Sequence, residues 1–112
     1  MNITKTVNYT KRDCVKAGVA VDTVQEHGGE VLTLNGFLFG SKFSEEDNRD
    51  IEVVVLKTTD DLFISSISKT VKDSAETIVD SFTEEEISSG IDVVVKNKTS
   101  KGGREFFYLD LK

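Results

Sequence analysis

The chain has 112 residues and a formal net charge of −6, with 38% hydrophobic and 30% charged side chains. That length supports one domain, residues 1–112, because a division would leave halves too small to bury a core, and the composition is that of a soluble globular protein rather than a disordered acidic tail. No apolar run approaches the roughly 18 residues of a membrane span, the opening MNITKTVNYTKRD lacks a secretory apolar stretch, and one cysteine with one histidine argues for a reducing, cytoplasmic setting without disulfide or zinc chemistry.

Residues 1–8 read either as a polar tail or as an edge strand. From Tyr9 to about His27 the pattern is helical: Cys14, Val15, Val19, Val21 and Val24 recur at roughly helical spacing. Thr10 is a natural N-cap with Asp13 three residues on, and Gly28-Gly29 is a natural stop. After Gly29 the period changes to two. Across Val31–Phe43, Leu32, Leu34 and Leu38 share one face, and Val31, Thr33, Asn35, Phe37 and Phe39 the other. Gly36 and Gly40 inside this run suit a sharply bent or bulged strand, and a glycine bulge would flip the parity beyond it. An acidic turn, SEEDNRD, leads to a second strand (Ile51–Lys57), and a tight turn at Thr58–Asp61 leads to a third (Leu62–Ile67).

Ser68 caps a clear helix with Val71, Ala75, Ile78, Val79 and Phe82 on one stripe. The following TEEEISSG either extends it or forms a loop of its own. GIDVVVKNK is a fourth strand, and a Lys-Gly-Gly turn carries the chain into REFFYLDL, a fifth. Preceded by the N-terminal segment and helix (1–29), the order from residue 30 is β-β-β-α-β-β. That is the chain order of the OB-fold, a five-stranded, partly open Greek-key barrel whose first strand bends to pair on both sides. The expected class is therefore mainly β, a barrel with helices, in the order α-β-β-β-α-β-β.

Enzymatic chemistry finds no foothold. There is no Walker loop, no GxGxxG after a strand, no HExxH and no GxSxG. Cys14 and His27 are separated along a weak helix, and the acidic runs lack the alternating spacing of a calcium loop. No cofactor and no metal site are expected. The charge, however, is segregated. Acids gather at Glu45-Glu46-Asp47, Asp60-Asp61 and Glu84-Glu85-Glu86; bases gather at Lys11, Arg12 and Lys16, and again at Lys96, Lys98, Lys101 and Arg104, a stretch free of acids.

The aromatic residues sharpen this pattern. If the leucines of the first barrel strand point inward, Phe37 and Phe39 point outward; in the last strand Phe107, Leu109 and Leu111 share one face, leaving Arg104, Phe106 and Tyr108 on the other. Bases of single-stranded nucleic acid stack on such rings while nearby Lys and Arg follow the phosphates. The alternative is that the N-terminal helix covers these faces and makes the rings a second layer of core.

The stretches ISSISKTVKDSAETIVDSF and ISSGIDVVVKNKTSKGGREFFYLDL, above all the S-K-x-G-R-E-F ending from Ser100 to Phe106, resemble the small OB-fold single-stranded DNA-binding proteins of bacteriophages and conjugative plasmids of Gram-positive bacteria. The resemblance spans roughly residues 30–112. It implies non-catalytic binding of single-stranded DNA with little sequence preference during replication or recombination, in the host cytoplasm, with replication or recombination proteins as further partners. It departs from the family pattern in having no tryptophan and no acidic C-terminal tail. The expected DNA-binding residues are Phe37, Phe39, Lys96, Lys98, Lys101, Arg104, Phe106 and Tyr108. Two other readings use the same features: a small phage inhibitor of a host protein, or a replisome accessory subunit whose rings form a protein interface.

Overall fold

A computed structural model describes residues 1–112. Seven strands form one curled sheet: β1 (Asn2–Val7), β2 (Asp22–Thr23), β3 (Val31–Ser44), β4 (Arg49–Thr58), β5 (Phe63–Ser66), β6 (Ile91–Thr99) and β7 (Glu105–Leu111). Three helices accompany them: α1 (Lys11–Gly18), α2 (Lys69–Ser81) and α3 (Glu84–Ser89). The spatial order is β2-β5-β4-β3-β6-β7, with β1 alongside β3. Counting from β3, the barrel strands run third-second-first-fourth-fifth, which is the OB order left open between its third and fifth strands.

Both lips of that opening are occupied. On one side β2 pairs in parallel with β5 through Asp22–Ile64 and Thr23–Ser65. On the other, α2 satisfies the free edge of β7: Thr70 Oγ1 donates to the Phe107 carbonyl at 2.8 Å, and the Leu109 amide donates to Ser74 Oγ at 3.0 Å. The Phe107 carbonyl and the Leu109 amide are thus paired without a closing strand.

The bend in β3 decides which residues form the core. Pairing with β4 slips between Leu34–Thr58 and Gly36–Lys57. Asn35 is the extra residue of this bulge, and its carbonyl accepts from Asn8 Nδ2 at 2.7 Å. Glycine is needed next to it, since a Cβ at Gly36 would lie 2.9 Å from the Lys57 side chain, 3.0 Å from the Tyr9 ring and 3.1 Å from the Asn8 carbonyl. Beyond the bulge the alternation inverts. Phe37 and Phe39 turn to the same side as Leu32 and Leu34, and Leu38 turns away from them.

The expectation that Phe37 and Phe39 face outward is therefore corrected. Phe37 is 0% exposed and Phe39 5%. They stack with ring centroids 6.4 Å apart in the main core, among Val54, Leu56, Val71, Ala75 and Ile87. The covering layer is α2 and α3 rather than the N-terminal helix. Helix α1 instead covers the opposite face of β3–β4–β5, where Ala17, Tyr9 and Cys14 pack on Leu38, Val53, Val55 and Phe63.

The N-terminal region also differs from the expected long helix. The Thr10 cap forms as anticipated: the Asp13 amide donates to Thr10 Oγ1 at 3.1 Å and the Thr10 amide to Asp13 Oδ2 at 2.9 Å. The helix then stops at Gly18, not at Gly28-Gly29. Val19 and Val21 are exposed, so the apolar residues do not share a stripe, and β-branched residues after a glycine favour leaving the helix. The chain continues through β2 and a 3-10 turn, Val24–His27. Ser68 caps α2, accepting from the Val71 amide. TEEEISSG becomes a helix of its own because Thr83 and Glu86 form a second reciprocal cap, with Ile87 as its buried anchor.

Candidate nucleic-acid interface

The β6–β7 hairpin sets its side chains by register. Val95–Leu109 and Asn97–Phe107 form rungs on the inner side, and Leu109 and Phe107 pack on the core. The alternate rungs, Val94–Asp110, Lys96–Tyr108 and Lys98–Phe106, project from the outer side. Pairing of β3 with β6 adds Val31 beside Val94 and Thr33 beside Asp92. The result is a strip in which two half-buried rings, Phe106 and Tyr108, alternate with cations and belong to neither apolar cluster.

Electrostatics distinguishes the cations on this strip. Lys98 Nζ lies 5.2 Å from the Tyr108 ring centroid and has no carboxylate partner, so it holds its charge beside an aromatic face. Lys96 donates to Asp110 Oδ2, and that hydrogen bond raises the lysine pKa and holds the carboxyl below its usual range. Thr33 Oγ1 donates to Asp92 Oδ1 at 2.6 Å. Past the last ring rung the chain turns at Ser100–Arg104, closed by the Ser100 amide on the Arg104 carbonyl at 2.8 Å and the Gly103 amide on Ser100 at 2.9 Å. Gly103 has φ +82°, which a side chain would strain. Lys101 stands at the apex of this turn, and Arg104 stands where β7 begins. Both are exposed.

Of the eight residues expected from the sequence, the structure brings Lys96, Lys98, Phe106 and Tyr108 onto one face, with Lys101 and Arg104 at its end. Phe37 and Phe39 lie in the core instead. Val31 and Val94 are added to the face by register. Val31 was legible as an outward residue from its alternation with Leu32, but only the β3–β6 pairing sets it beside the hairpin.

The face that OB domains commonly give to oligonucleotides, the outer side of their second and third strands, is closed here. It corresponds to β4 and β5 and lies under α1. Its cations are engaged in ion pairs as well. Lys57 Nζ sits 3.0 Å from Asp13 Oδ2 in a nearly buried pair, and Arg12 and Lys16 converge on Asp61 at 2.9 and 3.0 Å. Hydrogen bonds from Arg12 and Lys16 hold the Asp61 carboxyl far below the usual carboxylate range. Tyr9 closes the stack: burial and the nearby Asp13 push its phenol well above its ordinary value, and its hydroxyl donates to the Val55 carbonyl at 2.9 Å.

No group of three or more His, Cys, Asp and Glu side chains is arranged to hold a metal ion. Cys14 packs from α1 onto the sheet, while His27 Nδ1 faces Glu30 at 3.3 Å, so the two form no nucleophile–base pair. His27 is less solvated than a helix-terminal residue would be: its side chain is 17% exposed, and its Nε2 is buried without a partner. No helix is long and apolar enough to cross a membrane.

Comparison with known proteins adds one finding. Neither a curated protein nor a solved structure matches the chain significantly. A family model described as phage single-stranded DNA-binding protein, of the Phi29 type, matches residues 14–112, from within α1 to the last residue. With a match of that extent over an OB-ordered sheet, the chain belongs to the phage single-stranded DNA-binding protein family.

Proposed function

We propose that the chain binds single-stranded DNA without catalysis and with little sequence preference, on the outer face of β6–β7, during phage DNA replication or recombination in the host cytoplasm. The observation that carries the assignment of the face is the pair of rungs Lys98–Phe106 and Lys96–Tyr108, whose lysines are exposed and whose rings belong to neither apolar cluster. Phe106 and Tyr108 serve as stacking platforms for successive bases, and Lys98 and Arg104 follow the phosphates beside them. Lys96 contributes less net charge because Asp110 already answers it. Lys101 adds positive potential at the end of the path. Stacking requires bases that are not already stacked in a duplex, so single strands are the ligand, and hydrogen bonds to base edges are not needed. An overall charge of −6 is compatible with this, because the local excess of cations, not the total, sets phosphate affinity.

The test is fluorescence anisotropy of labelled oligo(dT) at low and moderate salt, compared with a duplex of equal length. Tight, salt-sensitive binding of the single strand and weak binding of the duplex is the expected result. Equal affinity for both, or unchanged binding by the combined Phe106→Ala and Tyr108→Ala variant, would remove the stacking face and favour the host-protein inhibitor.

A further inference from the structure

The β3–β4 hairpin runs on as an arm past Ser41, the last residue of β3 that β1 pairs. Phe43, opposite Asp50, is 59% exposed close to the tip. Around it stand Glu45, Glu46, Asp47 and Asp50, all exposed and none in an ion pair. Lys42 and Arg49 are exposed and unpaired on the same arm, but the four carboxylates outnumber them, and the acidic tip repels phosphates. It suits a surface that offers cations next to apolar area.

The chain carries such a surface at its other hairpin. Lys98, Lys101 and Arg104 have no carboxylate partner; Lys98 stands opposite Phe106, and Lys101 and Arg104 lie in the turn beyond it. The two hairpins leave β3 in opposite directions: β4 pairs with its C-terminal end up to Ser44–Arg49, whereas β6 pairs with its N-terminal end and runs on past Val31. Within one copy the two tips make no ion pair.

We propose that, on a strand long enough to seat several copies, the β3–β4 arm of one copy docks on the Ser100–Arg104 turn of the next. The proposal rests on the strand-binding reading above. The contact is head to tail, because the arm and the turn leave β3 at opposite ends of one copy. A heterologous contact pairs unlike tips and repeats along a line, as a coated strand requires. Carboxylates of the arm meet Lys101 at the apex, beyond the ring rungs, and Phe43 supplies the apolar part of the contact. Neighbours then gain affinity from one another with no base read.

The experiment compares wild type with the combined Glu45→Gln, Glu46→Gln and Asp47→Asn variant on two ligands: an oligo(dT) short enough to seat one copy, and poly(dT). The variant should bind the short oligo within about twofold of wild type, since exposed charges far from the rings are screened. The preference of wild type for poly(dT) should fall by about tenfold or more when three rim carboxylates lose their partners. A second readout uses carbodiimide, which joins carboxylates to amines in direct contact. On poly(dT), wild type should give ladders of multiple mass in which the Glu45–Asp47 segment is linked to Lys101; the short oligo should give none. A preference for poly(dT) that is absent in wild type or unchanged in the variant overturns the proposal, as do ladders lacking this link. If wild type fails to bind even the short oligo, the strand-binding reading itself falls and takes the docking with it.

Discussion

Over β4 and β5 the outer face of the sheet is closed, whereas over β6 and β7 it is bare. Both faces carry aromatic rings and cations, yet the chemistry of each is spent differently. Under α1, Tyr9 meets the Phe63 ring edge-on at 6.0 Å, and Lys57, Arg12 and Lys16 are answered by Asp13 and Asp61. On the hairpin, Phe106 and Tyr108 are half-buried but outside both apolar clusters, and Lys98 and Arg104 have no counter-charge. The same residue types therefore serve stability where partners converge on them and remain free for a ligand where none do. Local composition does not separate the two cases; the position of α1 does.

The largest test of this contrast is in the core. Phe37→Ala should cost about 3–5 kcal/mol of stability, as expected for a fully buried phenylalanine, read by urea denaturation. A Phe106→Ala change should cost far less stability. If both variants were equally destabilised, the hairpin face would be core and the contrast would fail.

Next comes the pair that fastens α1. Asp13→Ala leaves Lys57 with a nearly buried, unanswered charge, and breaking such pairs costs about 3–5 kcal/mol. Burial alone would push the Asp13 carboxyl up, but the Thr10 amide and Lys57 outweigh it and hold the pKa below its usual value. A carboxyl depressed on folding stabilises fully above its unfolded value, about 3.9, and loses that contribution as the pH falls through the folded value. Wild type should therefore lose stability on acidification below about pH 4 more steeply than Asp13→Asn does, in thermal scans at stepped pH. Parallel curves for the two proteins would show that the carboxylate does not fasten α1.

On the bare face the effect should move from stability to affinity. Phe106→Ala and Tyr108→Ala should each weaken binding of oligo(dT) by about 1–3 kcal/mol in anisotropy titrations. Melting temperatures should stay close to that of wild type. For the cations the sensitive measure is the salt slope. Lys98→Ala and Arg104→Ala should each lower it by about 0.7, the value for one phosphate contact on a single strand.

The smallest expected effect lies on the closed face. Arg12→Ala and Lys16→Ala should leave the salt slope as it is, because Asp61 already holds both side chains. Their stability cost should be at most about 1 kcal/mol, as for other exposed pairs. A reduced slope here would mean that the strand also follows α1, and the division between the faces would need redrawing.

Much of the architecture follows from local chemistry that the sequence displays. The Thr10–Asp13 cap, the Ser68 cap, the apolar stripe of α2 and the period-two runs of β3 to β7 depend on neighbours within a few residues, so pattern alone located them. The outward pair Phe106 and Tyr108 was equally legible, because no bulge interrupts β6–β7 and alternation holds from end to end; the register of that pairing then sets Lys98 and Lys96 opposite them. The rest was decided between segments distant in sequence. One extra residue at Asn35 inverted the alternation of β3 and carried Phe37 and Phe39 inward. The approach of Asn8, Tyr9 and Lys57 to Gly36 accompanies that bulge. The end of α1 at Gly18, the pairing of β2 with β5 and the closing of the β4–β5 face rest on contacts more than forty residues apart in the chain, such as Asp13 with Lys57 and Asp22 with Ile64. Sequence periodicity reports which side of its own strand a residue takes; only the assembled sheet decides whether another element covers that side.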